Sequence, residues 1–148
     1  MSRYAIAGKA RNVFKEVEDM ARMAAEGGGV YYNISPEYHH PGPWKFTAER
    51  IKIDRHGHFK KSPFDPARSR RLLDLSDKFE CGYGGGSRGT LQFALAVLLD
   101  ATGSKRDAVA YYREYAEHFL TNSSISINAD QVRLFVTLKR NGGYDGRE

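Results

Sequence analysis

Apolar residues at three- and four-residue steps (Ala10, Val13, Phe14, Val17, Met20, Ala21, Ala24) predict a helix over about residues 9 to 26, closed by Gly27-Gly28-Gly29. Val30 to Ile34 has the β-branched and aromatic content of a short strand. Ser35 to Pro43, with three prolines and two histidines, reads as an irregular loop. The period then drops to two. Arg50-Ile51-Lys52-Ile53-Asp54 predicts a strand with Ile51 and Ile53 toward a core and Arg50 and Lys52 toward water. A turn at Arg55 to His58 leads to a return strand at Phe59-Lys60-Lys61. Asp65-Pro66 is placed to start a helical turn displaying Arg68, Arg70 and Arg71 before Leu72, Leu73 and Leu75 rejoin the core.

Beyond Gly89, Leu91 and Phe93 to Leu99 are apolar nearly all round, which predicts a buried central helix ending near Gly103. Ser104 and Asp107 form a capping pair ahead of a third helix, whose inner stripe is Ala108, Val109, Tyr112, Tyr115, Ala116, Phe119 and Leu120. Asn128 and Gln131 repeat that arrangement before a fourth helix that buries Val132, Phe135 and Val136 and stops at Gly142-Gly143. These elements predict an α+β fold: a small antiparallel sheet, with a hairpin at about 50–61, packed against three C-terminal helices and flanked by an N-terminal helix. No internal repeat is present, and residues 1–148 are expected to form a single domain, with the loop at 35–43 its best seam.

At 148 residues with 41% apolar side chains, such a chain can hide roughly 70% of the surface that its unfolded form exposes, enough for a core without staples. One cysteine, Cys81, excludes an intrachain disulfide and a four-cysteine zinc site. The longest apolar run, Phe93 to Leu99, is far short of the roughly 20 residues of a membrane span, and the N-terminus lacks a signal-peptide pattern, so a cytoplasmic setting without membrane association is expected.

Charge changes the picture through its position. Lys and Arg number 23 against 18 Asp and Glu, a net charge of +5. The segment from Arg50 to Arg71 alone holds eight cations (Arg50, Lys52, Arg55, Lys60, Lys61, Arg68, Arg70, Arg71) against Asp54 and Asp65, a local +6, and the remainder of the chain totals −1. Such a concentration, near Phe59 and Phe64, suits an acidic partner: cations neutralise phosphates while aromatic rings stack on bases, or they steer an acidic protein patch.

The other candidate is Gly84-Gly85-Gly86-Ser87-Arg88-Gly89, which fits G-x-G-x-x-G ahead of a helix whose free amides could hold an anion. No Lys-Ser or Lys-Thr follows, and Asp107 opens another helix where a dinucleotide fold would place a strand ending in an acidic residue. The bland alternative is a tight turn that lets the buried helix start close to the sheet. His56, His58, His39 and His40 have no partner at a recognised metal spacing, and Ser87 lacks a nucleophile elbow, so no metal, cofactor or catalytic residue is expected. Cys81, in apolar surroundings, reads as an inert thiol.

Phe79-Glu80-Cys81-Gly82-Tyr83-Gly84-Gly85 followed by Gln92-Phe93-Ala94-Leu95-Ala96-Val97-Leu98 resembles the signature of an uncharacterised bacterial and phage domain family, Phe-x-Trp-Gly-Tyr-Gly-Gly before an apolar Gln-Leu-Ala-Leu-Ala helix. The resemblance covers about residues 50–135. Cys81 replaces the family's Trp, the linker to Gln92 is about two residues longer, and residues 1–49 read as an N-terminal extension. The resemblance implies a small α+β unit frequent on mobile elements and carries no catalytic residues. The expected function is therefore non-catalytic binding of an acidic macromolecule, nucleic acid or a nucleic-acid-handling protein complex, through the basic 50–71 surface; a counter-defence inhibitor such as an anti-CRISPR protein is one concrete version. The competing expectation is nucleotide or phosphate binding, or nucleotide modification, at the Gly84–Gly89 turn. A homodimer built on helix faces is the third.

Overall fold

The computed structural model describes residues 29–38, 40–42 and 44–142. The helix expected over 9–26 lies outside them. Four strands, β1 (Gly29–Tyr38), β2 (Trp44–Ile53), β3 (Phe59–Pro63) and β4 (Ile125–Asn128), form one antiparallel sheet in the order β3-β2-β1-β4. The described helices are a single turn, α1 (Ala67–Arg70), and three longer ones, α2 (Arg88–Thr102), α3 (Lys105–Phe119) and α4 (Ala129–Arg140). The fold is α+β, with the 50–61 hairpin and three C-terminal helices where the pattern placed them. Among the described residues no helix is long and apolar enough to cross a membrane.

The helix α2 is the axis of the core, with eleven of its fifteen residues buried. Ser87 caps its first turn by accepting from the Thr90 amide, and Gly103 ends it at φ 69°, the left-handed conformation that favours glycine. Phe93 meets Phe64 and Phe79 edge-on, and Tyr32 from β1 closes the cluster against Phe64 with ring centroids 5.1 Å apart. Full burial of each such ring contributes roughly 1.5–3 kcal/mol. The helices α3 and α4 pack on α2, with Tyr115 and Phe135 at their contact. Ser104 and Asn128 cap them as expected. The α3 stripe is narrower than its periodicity suggested: Val109 and Phe119 are exposed, and Ala108, Tyr112, Tyr115, Ala116 and Leu120 are buried.

Three features of the sheet differ from the sequence expectation. First, β1 continues through Ser35-Pro36-Glu37-Tyr38, pairing with β2 as far as Trp44, so the expected loop shortens to the connection before Trp44. Since β4 covers β1 only from Tyr31 to Ile34, Pro36 stands where β1 is an edge strand, the setting that tolerates a residue without an N–H. Second, β1 lies between β2 and β4 and is integral to the sheet, so the boundary drawn at residues 49 and 50 cuts through β2.

Third, the phase of β2 is reversed. Arg50 is opposite Tyr32, and Ala48 is opposite Ile34, both fully buried β1 residues on the helix-facing side. Phe46 and Ala48 pack against the core, while Ile51 and Ile53 lie on the opposite face. Arg50 is tolerated toward the helices because a carboxylate on α2 awaits it there.

Candidate binding surface

That carboxylate is Asp100, near the end of α2. It accepts the Tyr32 hydroxyl at 2.5 Å and Arg50 Nε at 2.8 Å on one oxygen, and Arg68 Nη1 at 3.4 Å on the other. Sheet, central helix and α1 thus meet on one acid. Burial first, and then the hydrogen bond to Asp100, push the Tyr32 phenol well above its usual range. Arg50's own hydrogen bond to Asp100 raises its guanidinium above the ordinary value. Both effects keep Tyr32 neutral and Arg50 charged at any physiological pH.

The eight cations of the basic segment accordingly divide. Arg50 is held by Asp100, and Arg70 turns to Asp74 at 2.7 Å, where its hydrogen bond holds that carboxyl below the usual range. Lys60 is opposite Lys52 on the helix-facing side of the hairpin, in line with Arg50. Lys61 is opposite Ile51 on the other face, and Arg55 sits in the exposed turn between β2 and β3. Arg68 and Arg71 project from α1 and its C-terminal cap. No carboxylate pairs with Lys52, Arg55, Lys60, Lys61 or Arg71 among the described residues. The structure therefore brings Lys52, Lys60, Arg50, Arg68 and Arg71 to one side and leaves out Lys61 on the other face, Arg55 in the turn and Arg70 on Asp74.

On that side lies a cleft of about 290 Å³ lined by Arg68, Arg71, Leu72, Leu99, Gly103 and Lys105. Lys105, the first residue of α3, was not among the sequence candidates because it lies 34 residues beyond Arg71 in the chain; only the α2–α3 corner brings it back. It too has no carboxylate partner among the described residues. The wall that carries Arg68 and Arg71 is pinned by Gln92, which is fully buried in α2. Its carbonyl oxygen accepts the amides of Leu75 and Ser76 at 2.7 and 2.9 Å, and its amide nitrogen donates to Ser69 Oγ and the Leu73 carbonyl. All four hydrogen-bonding positions of this side chain are filled.

The glycine turn is arranged differently. Gly84–Gly86 is a 3₁₀ turn, and the amides of Gly82 and Gly84 both donate to the Leu120 carbonyl. Ser87 caps α2, its hydroxyl donates to Glu80, and the Arg88 guanidinium reaches the Leu75 carbonyl at 2.7 Å. The Glu80 carboxylate lies so close to the first turn of α2 that a Cβ at Gly89 would be 2.6 Å from its Oε1. The chain's own carboxylate occupies the place that an anion would take, which favours the turn's structural role over the phosphate-binding one. Gly85 likewise abuts the Glu117 side chain.

The remaining nucleophile and histidine candidates are placed as follows. Cys81 is 1% exposed, and burial pushes its thiol up to about 11. A thiol so protonated is a poor nucleophile at neutral pH. His56 and His58 lie in the exposed β2–β3 turn, their amides bonded to Asp54 Oδ1. Their rings are 6.3 Å apart. Among the described residues no group of three or more His, Cys, Asp or Glu side chains is placed to hold a metal. His39 lies outside the described residues. Comparison with protein-family models, with curated proteins and with solved structures found no match for this chain.

Proposed function

We propose that the chain is a non-catalytic binding protein that engages an acidic macromolecule through its helix-side basic face, composed of Lys52, Lys60, Arg68, Arg71 and Lys105. The observation that carries this reading is the convergence of Arg68, Arg71 and Lys105, from two separate stretches of sequence, on one cleft where Arg71 and Lys105 have no carboxylate partner among the described residues. Uncompensated like charges repel one another and contribute nothing to the fold, whereas a polyanion brought against them releases counterions and gains affinity. The tight packing of Glu80 against α2 removes the main support for the glycine-turn alternative. An inhibitor of a nucleic-acid-handling complex, carried on a mobile element as the resemblance over residues 50–135 implies, is one concrete form of this reading.

Fluorescence anisotropy with a labelled single-stranded oligonucleotide over a salt series tests it. The parent protein is expected to bind with log K falling linearly in log salt. Combined Lys52→Ala, Lys60→Ala, Arg71→Ala and Lys105→Ala substitutions remove four exposed cations, and the slope should flatten by about three units at roughly 0.7 per phosphate contact. Unchanged affinity and slope would show that this face does not bind. Affinity for polyglutamate but not for the oligonucleotide would assign the face to an acidic protein.

A further inference from the structure

We propose that the Arg68–Arg71–Lys105 cleft is a phosphomonoester site, built to take a terminal phosphate on a nucleotide or at the end of a nucleic-acid strand. The inference rests on the basic-face reading above and narrows it from a charged surface to a pocket with a ligand. The first argument is charge. Around the cleft Arg50, Arg68, Arg71 and Lys105 face a single acid, Asp100, which leaves a net +3. Asp100 is shared among Tyr32, Arg50 and Arg68, and of the three positive charges that remain, two sit on Arg71 and Lys105, which have no carboxylate partner among the described residues. A phosphomonoester carries about −1.5 to −2 at neutral pH, a closer match to two free cations than the single charge of an internal diester.

The second argument is shape and lining. A volume of about 290 Å³ falls at the small end of ligand pockets, roughly 300–1,000 Å³. It suits one phosphate with part of its sugar and base rather than an extended cofactor. The polar side chains on the wall are two guanidinium forks and an ammonium, which only donate and so favour an acceptor-rich anion. Leu72 and Leu99 supply an apolar surface beside them, and Leu99 is itself buried in the core, so that surface is fixed. The third argument is rigidity. Arg68 is oriented by Asp100, and the loop that follows Arg71 is held by the four hydrogen bonds of Gln92. One of the three donors is thus oriented and the backbone beside a second is fixed before the ligand arrives, which lowers the entropy lost on binding.

Calorimetry with adenosine 5′-monophosphate, and with adenosine as its phosphate-free control, tests the pocket. An oligothymidylate with and without a 5′-phosphate separates a strand end from a free nucleotide. The monophosphate should bind and adenosine should not. Arg71→Ala and Lys105→Ala, both exposed and without carboxylate partners, should each weaken the monophosphate roughly tenfold or more. Lys61→Ala, on the opposite face of the sheet, should leave it unchanged. The phosphorylated strand should bind more tightly than its hydroxyl twin, with the difference lost in Arg71→Ala. Absence of saturable monophosphate binding, or indifference of that binding to both cleft variants, overturns the proposal. If the two strands bind equally and with steep salt dependence and the monophosphate does not bind, the pocket is refuted while the basic face stands; equal strands beside cleft-dependent monophosphate binding assign the pocket to a free nucleotide. Monophosphate binding lost in the cleft variants, with no affinity for either strand, keeps the pocket and refutes the macromolecular reading.

Discussion

At Cys81 a small sulfur side chain is packed almost entirely out of water, with its thiol raised to about 11 from an ordinary value near 9. In the folded state the proton is held more tightly than in the unfolded chain. Stability from this group is therefore complete below pH 9 and is lost as pH rises from about 9 to 11, by about 2–3 kcal/mol in all. Tyr32 and Tyr115, both raised chiefly by burial, add losses of the same sign at higher pH. Thermal unfolding between pH 8 and 10 should show the melting temperature falling on the alkaline side, with a shallower fall in Cys81→Ala. Equal slopes in the two proteins would refute the assignment. The composition of the neighbourhood was enough to read Cys81 as buried, because desolvation depends on how apolar the surroundings are and little on their exact arrangement.

Among the elements, the ones read correctly from sequence were those whose signal is local. The helices α2, α3 and α4 are announced by periodicity, by the side-chain caps Ser104 and Asn128, and by Gly103. The sheet was less legible because strand phase is decided by the neighbour. Arg50 and Lys52 alternate with Ile51 and Ile53, and the rule that charges face water selects the wrong side, since pairing with Tyr32 and Ala48 with Ile34 fixes the other. Gln92 was hidden in the same way, as one polar residue within an apolar run. Its role depends on a loop 16 to 23 residues earlier in the chain. Gln92→Leu keeps the volume and removes all four hydrogen bonds, leaving the Leu75 and Ser76 amides without their acceptor at about 1–3 kcal/mol each if they stay buried. The expected result is a loss of about 2–4 kcal/mol in urea unfolding and faster hydrogen exchange at Leu75 and Ser76. Exchange at those two amides as slow as in the parent would show that Gln92 does not pin the loop.

For the whole molecule, the regional excess of positive charge marks a stretch of chain but does not say which of its members end up on one side. That choice is made by the fold, which neutralises Arg50 and Arg70, turns Lys61 to the far side and recruits Lys105 from another helix. On the proposed binding reading, Asp100 sets stability and binding in opposition. It ties β1, β2 and α1 to α2, and it also subtracts one charge from the basic face. Asp100→Asn retains the shape and removes that charge. Arg50 and Arg68 then lie side by side with no acid between them, and a partly exposed pair of this kind should cost about 2 kcal/mol, lowering the melting temperature by about 4–8 °C. The same change adds one positive charge to the face, so oligonucleotide affinity at low salt should rise and the salt slope should steepen by roughly one unit. A variant that is less stable yet binds more tightly cannot arise from simple loss of structure. If Asp100→Asn, shown by circular dichroism to be folded at the assay temperature, bound the oligonucleotide no more tightly and with an unchanged salt slope, the charge of Asp100 would not bear on this face and the opposition would be refuted.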